Sequence, residues 1–433
     1  MARGRRRPLA AARVAARVAA GAPQARRRLA VLAGLAVVLT AFNLRPAVTS
    51  LGALLPQLQR DIGMPGVLAG VITSLPPICF GVFGLLVGRW ARRRDTALVL
   101  SGAMVLTSVA LLARVLVDRP SLVVLWTVPA LAGMGVGNVL LPVAVKRWFP
   151  NHVGRATGLY SMALAVGTAA AAAASVPIAE AFGSWRVGLG VWALPPLTAV
   201  PVWLWVRRRG APSAMPSYRQ PVDRRAEVAA APTGVDDVAT SPPVRPVHRH
   251  RQAWALAGYF GLQSLGAYAV MGWLPSIYQD AGVDAATAGL LLALVTLLGA
   301  PISILLPELA ARRGDQRVYV VGLAVLVGIA YLGLLVAPAT LPALWATLLG
   351  IGMGAFPLAL VLIGLRARSA EGTARLSALS QGVGYLVAAG GPLAIGLLHD
   401  ATASWTPPLL VLIGLLVPQL LFGLVAAAPG HVD

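Results

Sequence analysis

Long apolar stretches, separated by short polar segments, follow one another along most of the 433-residue chain. An α-helix needs about 20 mostly apolar residues to cross the hydrocarbon core of a bilayer. The pattern therefore predicts an all-α integral membrane protein with twelve transmembrane helices. We expect these helices at residues 29–57, 66–89, 96–117, 121–146, 154–180, 185–206, 253–278, 284–311, 317–337, 340–365, 373–398 and 404–428.

The two halves of the chain repeat each other at a nearly constant offset. Moving the first half forward by 219 residues superposes Pro56 on Pro275, and Gly133-Met134-Gly135 on Gly352-Met353-Gly354. A unit of six helices is even-numbered, so its two copies have the same orientation, as in parallel repeats related by an axis along the membrane normal. We therefore predict two pseudo-symmetric six-helix bundles.

A proline-rich segment of mixed charge and little periodicity joins the two halves. Such a composition is typical of a disordered linker without a folded domain. The predicted organisation is an Arg-rich cytoplasmic tail, a first bundle, a cytoplasmic linker, a second bundle and a short cytoplasmic tail, at residues 1–28, 29–207, 208–252, 253–428 and 429–433.

Charge predicts the side of the membrane on which each loop lies. Hydrophobic residues make up 58% of the chain and charged residues only 12%, whereas a soluble chain carries about 25% charged residues. The net charge of +21 comes from arginines that cluster in alternate loops. This is the positive-inside distribution. It predicts a multi-pass protein of the bacterial inner membrane with both termini cytoplasmic, and it argues against nucleic acid as a partner.

Residues typical of catalytic or metal sites do not cluster in the sequence. The five His lie in loops or at helix ends, and the single Cys79 lies in an apolar run. We therefore predict no cofactor, no metal and no enzymatic activity. Intramembrane proton relays use deep Asp, Glu or His residues, and the spans contain none. Only His399 and Asp400, near the predicted outer face, are left as candidates for proton coupling.

Arg45 is the strongest functional signal in the sequence. It lies 16 residues before Asp61 and 17 after Arg28, so that about 24 Å of helix separates it from either interface. Arginine at that depth costs at least ~2.5–3.5 kcal/mol, and no acidic residue lies at comparable depth. A substrate anion or strong acceptor is the natural partner. Alternatively, Arg45 binds carbonyls freed by a kink at Pro46, or cross-links helices.

Helical spacing places Phe42, Arg45 and Thr49 on one face, and Asn43 on another. A shift of 218 residues maps Arg45 onto Gln263, so we expect Gln263 across the cavity from Arg45. Such amides also form interhelical hydrogen bonds in bundles, which is the alternative for several of these residues. The further substrate-binding candidates are Asn138, Ser264, Tyr268, Gln381 and Tyr385.

The loop after the second helix reads Gly-Leu-Leu-Val-Gly-Arg-Trp-Ala-Arg-Arg over residues 84–93. It resembles the major-facilitator loop signature Gly-x-x-x-Asp-Arg-x-Gly-Arg-Arg, although Gly88 and Ala91 replace the usual Asp and Gly. Either these charges set topology alone, or they form cytoplasmic contacts between the halves that break when the protein opens. The residues concerned are Arg89, Arg92, Arg93 and, in the second copy, Glu308.

Three further motifs are similar to one branch of that superfamily, the cyanate permeases and 2-nitroimidazole exporters. They are Asn43-Leu44-Arg45-Pro46, the segment 137–142 with Lys146-Arg147, and the segment 261–264. The resemblance implies a monomeric secondary transporter that moves a small anionic or polar solute, cyanate-like or nitroimidazole-like, by alternating access. The alternatives are a broader drug or metabolite exporter and a membrane sensor that does not transport.

Overall fold

The computed structural model describes residues 29–90, 94–149, 153–209, 249–367 and 370–432. Within these ranges the chain forms helices and no strands, grouped in twelve units that we name α1 to α12. Their bounds are Leu29–Ile62, Gly66–Trp90, Thr96–Val115, Pro120–Trp148, Val153–Ala181, Trp185–Arg209, Arg251–Asp280, Ala285–Ala311, Arg317–Val336, Pro342–Leu365, Ala370–Thr402 and Thr406–Ala426.

Eleven of the described units are long and apolar enough to cross a membrane, and the twelfth, α7, is a largely buried helix of 30 residues. The predicted all-α membrane fold is therefore confirmed. The prediction ended α1 at residue 57 and began α7 at residue 253, whereas the helices extend to Ile62 and from Arg251. The predicted tail 1–28 and residues 210–248 of the linker lie outside the described residues.

Three of the units are interrupted. In α1 the helix stops at residue 42 and resumes at Pro46, because proline has no N–H to continue the ladder and clashes with the carbonyl four residues earlier. In α6 a 3₁₀ turn over Val191–Ala193 joins two shorter helices. In α10 the break falls at Met353-Gly354, although the matching residues of α4 are continuous helix. The two bundles are thus not equivalent.

Each bundle is held together mainly by apolar side chains. In the first, α3 packs against α4 and α6, and α1 packs against α5. Trp203 of α6 packs on Trp148, with ring centroids 5.3 Å apart, and its indole N–H donates to Thr40 Oγ1 at 2.8 Å. In the second bundle, α7 packs against α11 and α12, and α10 against α8 and α9.

The two bundles meet along α2 with α11, α5 with α8, and α1 with α7. The tight contacts lie near the end of the molecule that contains the α1–α2 turn, which we call the closed end. There Gly52 faces the carbonyl of Met271, Gly289 faces the carbonyl of Ala172, and Gly70 packs on Leu393. A side chain at Gly52 or Gly289 would overlap the partner helix, and one at Gly70 would be in tight contact with it, so glycine permits the close approach.

Arg366 forms a polar network at the opposite end, where both termini of the described chain lie. Its guanidinium donates to the carbonyls of Ala426 at 3.0 Å and Ala427 at 2.8 Å, and also to Oε1 of Gln316. The Val432 amide donates in turn to the Arg366 carbonyl at 2.9 Å. The residues after α12 are therefore tied to the end of α10.

Candidate functional site

Arg45 lies at the break in α1, between the two bundles. It is the last residue before the second segment of the helix, with a non-helical backbone (φ −131°, ψ −18°). Its guanidinium carbon is 5.9 Å from the ring centroid of Phe80 in α2 and 5.9 Å from that of Tyr268 in α7. Both distances fall within the range of cation–π attraction. The helix break therefore presents a cation between an aromatic ring of each bundle.

Tyr385 of α11 completes this group, which we call the Arg45 cage: Arg45, Phe80, Tyr268 and Tyr385. Tyr385 lies against α2 next to Phe80, because a Cβ built on Gly81 would be 3.8 Å from the Tyr385 Cβ. The Tyr385 ring packs edge-on against Phe260, with centroids 5.3 Å apart. Aromatic pairs of this geometry fix the orientation of their rings. The cage thus has one wall from the first bundle and two from the second.

No carboxylate pairs with Arg45 in the described part of the chain. Arg45 Nε is buried and has no hydrogen-bond partner there, while the residue as a whole is partly exposed. None of the described ion pairs involves Arg45; Asp118, for example, accepts from Arg186 at 2.5 Å. An unpaired buried donor is unfavourable unless something accepts from it. The Arg45 guanidinium can therefore donate a hydrogen bond from Nε to an acceptor that the described part of the protein does not supply.

The other α1 candidates serve the bundle more than the cage. The Thr49 hydroxyl is buried and donates to the carbonyl of Thr168 in α5 at 2.9 Å. The Asn43 amide donates to the Leu39 carbonyl at 2.7 Å, and its Oδ1 is buried without a partner among the described residues. Phe42 ends the first segment of α1 and is partly exposed. Among these α1 candidates, Arg45 lies beside a ring of the second bundle, that of Tyr268.

No hydrogen bond joins Gln263 to Arg45 among the described residues. Gln263 Nε2 donates to the Phe260 carbonyl at 3.0 Å and to Ser264 Oγ at 2.6 Å. Its side chain lines a cavity of about 40 Å³ inside the second bundle, together with Tyr331 and Gln419. Five residues of helix turn the chain by about 140°, so Gln263 and Tyr268 lie on different faces of α7.

Asn138 and Gln381 lie at partly exposed positions of α4 and α11. The Asn138 side chain makes no hydrogen bond to any other described residue, whereas Gln381 Nε2 donates to Ser377 Oγ at 2.6 Å. Asn138 therefore has free donor and acceptor capacity. Gln381 has its amide nitrogen engaged within its own helix.

Most side chains of the predicted loop contacts lie outside the described part of the chain. Arg92 and Arg93 lie outside the described residues, and so does the side chain of Arg89. Glu308 pairs with Arg312 at 2.5 Å, one helical turn away in α8, and both side chains are well exposed. This described contact lies within the second bundle and does not join the halves.

Two features of the structure have no clear signal in the sequence. Phe80 and Phe260 shape the cage, but aromatic residues are common in membrane spans and only packing distinguishes these. Arg114 near the end of α3 is fully buried, and its three guanidinium nitrogens have no partner among the described residues. Its place in the last turn of α3 puts its charge near the negative end of the helix dipole.

The twelve helical units of the described chain, in two related bundles, form a known membrane-protein architecture. The sequence profile of the Major Facilitator Superfamily matches residues 30–392. The chain belongs to the major facilitator superfamily. Within that superfamily it is similar to the 2-nitroimidazole transporter of Escherichia coli (strain K12), with 32% identity over 402 residues, 93% of this chain and 96% of the relative.

A second superfamily relative is the cyanate transport protein CynX of Escherichia coli (strain K12), with 32% identity over 398 residues, 90% of this chain and 96% of the relative. A bacterial homologue of the human lysosomal transporter Spinster, in an inward-facing and unoccupied conformation, has the same fold. Its TM-score is 0.68 at 15% identity, covering 93% of this chain and 97% of that one. The predicted superfamily and branch are confirmed. This member is a multi-pass protein of a transporter family.

Proposed function

We propose that this major facilitator transports a small solute that is anionic or carries a strong acceptor, with Arg45 as the group that binds it. One observation carries the proposal. Arg45 is a cation between the two bundles, partly exposed, with no carboxylate partner in the described chain and an unpaired buried Nε. A charge in that position is tolerated where it meets an anion or a water-filled cavity.

The cage favours a planar or linear solute of a few atoms. Guanidinium is itself planar and donates through five N–H groups, and the Phe80 and Tyr268 rings lie beside it. A cyanate-like anion or a nitroimidazole-like heterocycle meets both requirements, because each carries electron-rich atoms on a flat or linear frame. The names of the two E. coli relatives agree with this class.

The other candidates have graded roles in this proposal. The hydroxyls of Tyr268 and Tyr385 would donate to the solute, and Asn138, with free hydrogen-bonding groups, would orient it. Gln263 would act indirectly, because its amide donates to the Ser264 hydroxyl and fixes the orientation of that group. Phe42, Thr49, Asn43 and Gln381 would maintain the wall around the break.

Alternating access is the mechanism that the arrangement of bundles supports. The close glycine contacts hold the bundles together at the closed end, while the arginine clusters of the sequence lie in loops of the opposite end. The positive-inside rule would place the closed end outside a bacterial inner membrane and both termini in the cytoplasm. The conformation would then be inward-facing, and a monomer would rock its two bundles about the Arg45 cage.

Binding and flux of radiolabelled cyanate and 2-nitroimidazole test this function directly. Binding would be measured on purified protein and flux in proteoliposomes. The parent would be compared with Arg45→Gln, Arg45→Lys and a matched control, Arg312→Gln, which changes an exposed ion pair. We expect Arg45→Gln to weaken binding at least tenfold, Arg45→Lys to weaken it less, and the control to bind as the parent does. Equal binding by a well-folded Arg45→Gln protein would contradict the proposal. Binding without flux would indicate a sensor.

A further inference from the structure

An acidic residue of one bundle lies on a helix end of the other at the closed end. Asp400, an exposed residue near the end of α11, places its carboxylate against Gly66, the first residue of α2. A Cβ on Gly66 would overlap both carboxylate oxygens. Gly66 therefore leaves the space in which the carboxylate sits, and the contact joins the two halves of the protein.

The N-terminus of α2 has no acidic group of its own. The first N–H groups of any helix lack intrahelical partners and carry partial positive charge. The first turn of α2 contains no acidic residue. The carboxylate that lies at this helix end, Asp400, comes from the other bundle.

The helix that corresponds to α2 in the second bundle has an acidic N-cap, which α2 lacks. In the second bundle, α8 begins after Asp284, whose Oδ1 accepts from the Thr287 amide at 2.9 Å. The 219-residue offset maps Asp284 onto Pro65, which has no side-chain acceptor. The first copy of this helix is thus uncapped within its own bundle, and the second copy caps itself.

The end of α11 that carries Asp400 is held in place by its own bundle. Trp273 packs on Gly396 and donates to the Pro392 carbonyl at 2.9 Å. His399 stacks on Trp405 at 3.9 Å between centroids, and Trp405 Nε1 donates to Asp280 Oδ2 at 2.6 Å. Asp400 is therefore presented on a rigid support, so movement of the bundles changes its distance from α2.

We propose that Asp400 is a latch between the bundles, whose negative charge on the α2 N-terminus stabilises the closed end. The latch rests on the proposed function only in assuming that the bundles separate. A carboxylate at an exposed helix N-terminus contributes roughly 0.3–1 kcal/mol. Removal of the charge should therefore raise the ratio of open to closed molecules by about two- to fivefold.

Spin labels on the two bundles measure that ratio without any substrate. The label sites are Leu116→Cys and Val336→Cys, both highly exposed at the closed end, in a Cys79→Ala background. Asp400→Asn keeps the shape of the side chain and removes its charge. Asp284→Asn is the matched control, because it neutralises a helix cap that lies within one bundle.

We expect Asp400→Asn to increase the population at long label distances by about two- to fivefold, and Gly66→Ala to do the same by displacing the carboxylate. The control should leave the distances unchanged. The proposal is overturned if the Asp400→Asn and parent distributions coincide, or if Asp284→Asn opens the protein equally. Unchanged solute binding in the Arg45 variants would refute the proposed function and leave this result untouched.

Discussion

The carbonyl group of Phe42 lies against the α-carbon of Gly167, so that α5 receives the backbone oxygen freed by the break in α1. A Cβ at position 167 would overlap that oxygen. Gly167→Ala should therefore destabilise the protein by about 1–3 kcal/mol, the usual cost of overpacking, and should displace Arg45. The measurement is thermal unfolding of the purified protein in detergent.

Gly158 provides the control for this substitution. It lies in the same helix, and nothing lies within 4 Å of a Cβ built on it. Gly158→Ala should leave the unfolding temperature unchanged or raise it, because alanine is the better helix former. Equal effects at the two positions would show that the helix break does not depend on this contact.

Removal of a ring from the Arg45 cage should weaken solute binding without unfolding the protein. Phe80→Leu deletes one of the two rings at 5.9 Å from the Arg45 guanidinium, and a desolvated cation–π contact is worth about 0.5–2 kcal/mol. We expect affinity for 2-nitroimidazole to change by roughly 2- to 30-fold in equilibrium binding. Phe422→Leu, on an exposed position of α12, should bind as the parent does.

The cap of α8 should give a stability difference that depends on pH. Hydrogen bonds from Thr287 hold the pKa of the Asp284 carboxyl below its usual range. A depressed pKa contributes stability above the pKa of the unfolded chain, and this contribution disappears as pH falls through the folded pKa. Asp284→Ala should therefore lower the unfolding temperature at neutral pH and converge with the parent in acid. A constant difference at all pH values would rule out the charged cap; Glu180→Ala serves as the uncapped control.

The Arg366 network should be worth more than an exposed ion pair. Arg366→Gln leaves the carbonyls of Ala426 and Ala427 without their charged donor, and hydrogen bonds to charged groups contribute about 1.5–3 kcal/mol. Thermal unfolding should show a clear loss. Arg312→Gln, which breaks an exposed pair in α8, should change stability by no more than about 0.5 kcal/mol. Similar losses for both would mean that the network contributes no more to stability than an exposed ion pair.

The sequence predicts the fold well because apolar length and charge are one-dimensional properties. Twelve spans, the repeat and the depth of Arg45 can all be counted along the chain. The break in α1 also follows from one residue, Pro46. The break in α10 does not, because the same Gly-Met-Gly triplet is continuous helix in α4. Packing around each copy, and not the triplet itself, decides between the two conformations.

The site is harder to predict because an error of one residue in the repeat offset rotates the predicted side chain by a large angle about the helix axis. Gln263 follows from an offset of 218, whereas most of the repeat has an offset of 219, which maps Arg45 onto Ser264. One residue turns a helix by about 100°, enough to move a side chain from the face of α7 near the cage to another. The role of Phe80 cannot be predicted from the sequence for a different reason, because only the packing of α2 against α1 makes it a neighbour of Arg45.

The Arg45 cage is chemically uneven, and this would matter for the solute that we propose it binds. Because the cage draws its only cation from the first bundle and mainly hydroxyl-bearing rings from the second, its two sides have opposite character. A solute with one electron-rich end would cross with that end always turned to the same bundle. The protein would then distinguish the two ends of the solute. Two isomers of equal size and charge, with the electron-rich group in different positions, would be transported at different rates.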